Sequence, residues 1–136
     1  MNEASLRRII VEIFRLAYVR RLVDLLGGNA SARLSSDEVL ITPTSMPKVL
    51  MKPQSIVKIR LDGTVISGGN PSSEWRMHVG IYRVRDDVRF VLHTHPPNIL
   101  ALTRAGLRST YPLARQFRML VKLPSSIFKA RKCRAC

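Results

Sequence analysis

Apolar residues recur at Leu6, Ile9, Ile10, Ile13, Leu16 and Ala17, with arginines on the opposite side. That 3.6-residue period predicts an amphipathic helix over residues 5–26, with Gly27 and Gly28 as its stop. The pattern then changes to short apolar runs separated by turn residues. Residues 29–34 and 38–42 read as two strands about a Ser35, Ser36, Asp37 turn, and Pro43 and Pro47 bracket a loop. Ile56, Val57, Ile59 and Leu61 lead into Asp62 and Gly63, after which Thr64, Val65 and Ile66 return, predicting a second hairpin. Ser72 and Ser73 are helix-capping residues, and Met77, His78, Ile81, Tyr82 and Val84 give the helix that follows one apolar side to about Arg85. Glu74 falls in its first turn, where a carboxylate suits the helix dipole. A strand over 89–94 and a third helix over 99–107 complete the series. Helices alternating with hairpins and a buried strand predict an α/β fold, a mixed sheet covered by helices.

A chain of 136 residues is one domain's worth, long enough to bury roughly two thirds of the surface exposed when unfolded. The first helix is interrupted by Arg7, Arg8, Glu12, Arg15, Arg20 and Arg21, so it reads neither as a signal peptide nor as a bilayer span. A soluble, cytoplasmic protein without a membrane partner is expected. The formal charge of +14 raises nucleic acid as a partner. Its distribution argues against that. Seven basic residues (Arg115, Arg118, Lys122, Lys129, Arg131, Lys132, Arg134) and no acidic one fall in the last 24 positions, which supply half of the excess. The rest of the chain is only moderately basic and lacks the interleaved aromatics that stack bases, so nucleic acid is disfavoured. Cys133 and Cys136 exclude a disulfide framework for the fold. Their spacing is that of a metal or redox pair, and with His93 and His95 they would make a closed structural zinc site. Two thiols in a fraying tail are the simpler account.

The candidate chemistry starts at His93 and His95, at the end of an apolar strand that Pro96 and Pro97 stop. Alternate strand side chains share a face, so both imidazoles are expected to project together, as a metal ion requires of a short segment. His78, one helical turn after Glu74, is read as a packing residue or as one that orients that carboxylate. Trp75 and Tyr82 are read as core or interface residues.

Five separated segments, the first helix, Gly28 to Arg33, Leu40 to Thr44, Pro71 to His78 and His93 to His95, together resemble the class II aldolase and adducin head family over residues 5–112. The resemblance implies a three-layer α/β/α domain with a central, mainly antiparallel sheet, assembled as a homotetramer. It implies a divalent cation, usually Zn2+, held by His93, His95 and Glu74, and Glu74 as the catalytic base. It implies phosphate binding by Asn29, Thr44, Ser45, Ser72 and Ser73, where hydroxyls, amides and a helix start converge. Glycine is the family's usual residue where Ser45 stands. The reaction implied is cleavage of a small-molecule sugar 1-phosphate, such as L-fuculose 1-phosphate, to dihydroxyacetone phosphate and an aldehyde. Relatives that epimerise pentulose phosphates or dehydrate a methylthio sugar phosphate are alternatives. Glutamate at 74, followed by Trp75 and Arg76, leans toward aldol cleavage.

The family's third histidine ligand would come much later, and no histidine follows His95. The domain is therefore expected to be C-terminally truncated, with residues 1–112 family-like and 113–136 a basic tail unlike the family. A non-catalytic, oligomerising relative is the alternative this favours.

Overall fold

Asn2 opens the first helix, its side chain accepting a hydrogen bond from the Ser5 backbone N–H, and α1 runs from Glu3 to Val19. The structure, a computed structural model, describes residues 1–105. The expected boundary at 112, the basic tail, Cys133 and Cys136 lie outside them.

α1 ends seven residues short of the expected end at Leu26, because the apolar period fails at Arg20 and Arg21. Arg21 takes a left-handed φ of 55°. The Leu22 N–H then bonds the Ala17 carbonyl and the Arg21 N–H bonds that of Tyr18, a Schellman closure with arginine in the place glycine usually takes. Val23 is turned back into the core. The Asp24 carboxylate caps the N–H groups of Leu26 and Gly27, and those bonds hold its pKa below the usual carboxylate value.

Five strands follow, β1 (Asn29–Arg33), β2 (Glu38–Ile41), β3 (Val57–Arg60), β4 (Val65–Ser67) and β5 (Phe90–His93). Their order in the sheet is β4-β3-β2-β1-β5, every pairing antiparallel. Both expected hairpins are present. The Pro43 to Ser55 segment holds two short 3-10 turns, Lys48–Leu50 and Pro53–Ser55, and Pro43 bridges Pro71.

The two faces of the sheet are covered by different helices. Leu6, Ile10, Val11, Phe14 and Ala17 of α1 pack on Ala30, Ala32 and Leu40. On the other side Val79 and Tyr82 of α2 (Trp75–Val84) pack on Val39, Ile41, Val57 and Ile59. The architecture is therefore three-layer α/β/α, and among the described residues its sheet is antiparallel throughout rather than the mixed one the alternation of elements predicted. Each fully buried aliphatic or aromatic side chain contributes roughly 1.5–3 kcal/mol, and the alternation along β1 to β3 feeds both layers. A last helix, α3, spans Pro97–Arg104. No helix among the described residues is long and apolar enough to cross a membrane.

On the α2 side β1 departs from this pattern. Asn29, Ser31 and Arg33 are all buried and all polar. The Arg33 guanidinium stacks on the Tyr82 ring, 4.9 Å from its centroid, and donates to the carbonyls of Tyr82, Arg85 and Val88. It thus takes up carbonyls that the end of α2 and the turn after it leave over.

Candidate active site

The register between β1 and β5 builds the site. Asn29 lies opposite His93 and Ser31 opposite Val91, and directly opposed residues share a face, so Asn29, Ser31 and His93 all point toward α2. β5 is shorter than expected, and His95 lies beyond its end, fixed by its backbone N–H to the Leu22 carbonyl at 2.9 Å. The two imidazoles nonetheless converge. Their Nε2 atoms are 3.2 Å apart, and the rings meet edge to face at 77°.

Gly28 makes this approach possible. It has φ 77°, and a Cβ there would stand 2.9 Å from the His93 carbonyl oxygen and 2.6 Å from Val23 Cγ1. Only glycine combines that backbone with that closeness.

Glu74 is the N-cap residue of α2 rather than part of its first turn. Ser72 is not that cap; its hydroxyl accepts from the Glu74 N–H at 3.3 Å. The Glu74 carboxylate receives the Asn29 amide at 2.9 Å and the Nδ1 side of His93 on the same oxygen. Burial pushes its pKa up, but the Asn29 bond together with the charge and hydrogen bond of His93 outweighs this, holding it below the usual value. Glu74 is accordingly ionised near neutrality. It sits on the opposite ring nitrogen from the one His93 turns to His95, the arrangement by which a carboxylate orients a ligating histidine.

Two of the three expected donors thus converge directly, with the third behind the first. Among the described residues no group of three or more His, Cys, Asp or Glu side chains is arranged to hold a metal. The pair still fits one. Two nitrogens bound at 2.0–2.1 Å to a tetrahedral cation stand about 3.3 Å apart, close to the separation seen.

A cavity of about 160 Å³ adjoins the pair, lined by residues that include Gly28, Asn29, Thr44, Ser45, Ser72, Ser73, Glu74 and His95. All five residues expected to meet phosphate therefore reach one cavity. Asn29 is committed at both ends of its amide, to His78 and to Glu74, leaving one N–H free. Ser45 has φ 54°, a conformation that glycine would adopt without cost.

Sequence reasoning missed Lys48, which also lines the cavity. It is 2% exposed, its ammonium lies 5.2 Å from the Phe14 ring centroid, and no carboxylate of the described residues is within ion-pair distance. Desolvation lowers its pKa and nearby Asp24 opposes that. A lone lysine in a proline-bracketed loop carries no signal of this in the sequence. A larger depression of about 470 Å³ lies between α1 and the Pro53–Ser55 turn. Its only carboxylate, Glu3, is already paired with Arg7 and Lys58, so it offers no free reacting group.

The profile of the Class II Aldolase and Adducin N-terminal domain matches residues 8–130. The chain belongs to this family. Among curated class II aldolase relatives, the 3-oxo-tetronate 4-phosphate decarboxylase of Cupriavidus necator is 38% identical over 106 residues, 78% of this chain and 48% of that protein. The L-fuculose phosphate aldolase of Methanocaldococcus jannaschii is 37% identical over 89 residues, 65% of this chain and 48% of that protein. The crystal structure of YgbL from Klebsiella pneumoniae superposes with a TM-score of 0.71 at 29% identity, covering 75% of this chain and 49% of that one. The chain spans about half the length of the curated relatives it matches.

Proposed function

We propose that this chain carries the core of a metal-dependent sugar-phosphate lyase, cleaving a sugar 1-phosphate such as L-fuculose 1-phosphate to dihydroxyacetone phosphate and an aldehyde. The observation that supports it is the convergence of His93, His95, ionised Glu74 and a hydroxyl-lined cavity at one end of β1 and β5.

His93 and His95 would hold the divalent cation, Zn2+ by preference, through Nε2, with Glu74 beside them. When bound, such an ion acts as a Lewis acid on the ketose carbonyl and its neighbouring hydroxyl. The remaining work falls to the chain. Thr44, Ser45, Ser72, Ser73 and the spare Asn29 N–H offer hydrogen-bond donors to the phosphate, and buried Lys48 adds a positive charge to the same cavity. In condensation the ionised Glu74 carboxylate takes a proton from the carbon beside the ketone; in cleavage the hydroxyl on the carbon that becomes the aldehyde releases its proton to solvent as the carbon–carbon bond breaks, and Glu74, in the fraction that holds a proton, gives one to the carbon beside the ketone. Cytoplasmic location and assembly into a homotetramer belong to the same proposal and are supported by the family resemblance alone.

Metal analysis of the purified chain, paired with a retro-aldol assay on L-fuculose 1-phosphate, tests this reading. Glu74→Gln is expected to bind zinc about 10–100-fold more weakly and, at saturating zinc, to lose turnover by about 10²–10⁴-fold. Equal turnover in both proteins would remove Glu74 from the role.

The decarboxylase relative favours a second reading, loss of carbon dioxide from a 3-oxo acid phosphate at the same site. Both reactions leave negative charge on a carbon next to a carbonyl. Release of carbon dioxide from 3-oxo-tetronate 4-phosphate, with no aldehyde from the sugar phosphate, would select it.

A further inference from the structure

His78 is 0% exposed and is not among the residues lining the cavity, yet its ring is bonded on both sides. Nδ1 lies 2.6 Å from the Ser31 hydroxyl, and Nε2 meets the Asn29 side-chain oxygen. Ser31 Oγ in turn lies 2.9 Å from the Tyr82 hydroxyl, which takes a hydrogen bond from the Val91 backbone.

The directions of these bonds follow from the groups. An amide oxygen only accepts, so His78 Nε2 carries the hydrogen. Its Nδ1 is then bare and accepts from Ser31, which accepts from Tyr82. Burial lowers the His78 pKa to about 4, against a smaller opposing pull from Glu74, which agrees with a neutral ring at pH 7. With its oxygen held, Asn29 has only its NH2 group to offer Glu74. A freely rotating amide would present oxygen or nitrogen to that carboxylate, and the oxygen would repel it.

We propose that His78 is a positioning residue: it locks the Asn29 amide and so holds the Glu74 carboxylate where that carboxylate keeps a hydrogen on His93 Nδ1 and leaves Nε2 bare toward His95. This deepens the proposed function and rests on it for its catalytic meaning. A residue needed only to fill space beside Val79 and Tyr82 would be apolar. Here an imidazole is bonded to two polar side chains, one of which holds the candidate base.

The test uses the full chain without metal and then titrated with Zn2+ alone, in wild type, His78→Leu, His78→Gln and Ser31→Ala. In wild type the Asn29 side-chain NH2 is expected to exchange slowly with water. In His78→Leu it should exchange at least tenfold faster, and Zn2+ should bind about 10–100-fold more weakly, the usual effect of losing an outer-shell partner. His78→Gln, which restores a donor near Nε2, should recover both to within about threefold. Ser31→Ala, which leaves the ring in place but frees its tautomer, should shift both in the same direction by less. A folded His78→Leu with wild-type amide protection and zinc affinity overturns the proposal. If that variant does not fold, unchanged behaviour of Ser31→Ala overturns it instead. A wild type that takes up no zinc removes the metal-dependent reading, while amide protection still decides the role of His78.

Discussion

His93 and His95 face each other through Nε2 atoms 3.2 Å apart. Among the described residues neither nitrogen has a carbonyl or carboxylate partner, so the contact is satisfied by a shared proton or by a cation. Zinc at a free concentration of one hundred times its Kd is expected to stabilise the fold by about 2.7 kcal/mol. A rise of several degrees in Tm, reversed by a chelator and absent in His93→Ala and in His95→Ala, is the expected record.

The buried state of His78 makes stability depend on pH. Its pKa is depressed in the fold to about 4, chiefly by desolvation, while the unfolded chain titrates near 6.5. Between those values the unfolded state binds the extra proton. Stability therefore falls as pH drops from about 6.5 to 4 and levels off below, a loss on the order of 3 kcal/mol from this group. Urea melts across that window should show the decline, and His78→Gln should flatten it.

Arg33 secures the far end of α2. Replacing it with methionine keeps the stem but strands the carbonyls of Tyr82 and Val88 and leaves that of Arg85 only the Val88 N–H. A loss of about 2–4 kcal/mol is expected in urea unfolding, with faster amide exchange in the last turn of α2.

Ser45 occupies a left-handed conformation beside the anion cavity. Ser45→Gly should leave Tm unchanged or slightly raised, whereas Ser45→Val should cost about 1–2 kcal/mol. Thermal melts of the pair separate backbone strain from any loss of the hydroxyl.

Lys48 places a cation at the same cavity. Lys48→Met should raise KM for a phosphorylated substrate about tenfold, which is about 1.4 kcal/mol, and leave kcat nearly unchanged. The difference should vanish when an uncharged analogue replaces the phosphorylated sugar.

Much of this was legible in the residues. Local patterns carry the hairpins, because Asp62 and Gly63, or Ser35 to Asp37, determine their own turns. The two-sided cover of helices followed from the family resemblance, while the strand order came only from the long-range pairing. The end of α1 was misplaced because arginine does at position 21 what glycine usually does, and no local rule distinguishes that arginine from a helical one. His93 and His95 were legible as candidates from type and spacing, and Glu74 from the family resemblance. That Glu74 approaches His93 from behind, and that Asn29 turns to His78 as well as to the cavity, depends on the β1–β5 register. Only long-range pairing sets that register. The hydrogen-bond chain through Ser31 was invisible for the same reason, since an isolated serine in a strand has many possible partners.

The three alternate polar residues of β1 have a mechanical consequence. Asn29 grips the start of α2 through Glu74 and His78, Ser31 its middle through His78 and Tyr82, and Arg33 its end. The strand acts as a splint along the helix. Sliding α2 by even one residue would break all three attachments at once, so the carboxylate it carries is pinned against thermal drift.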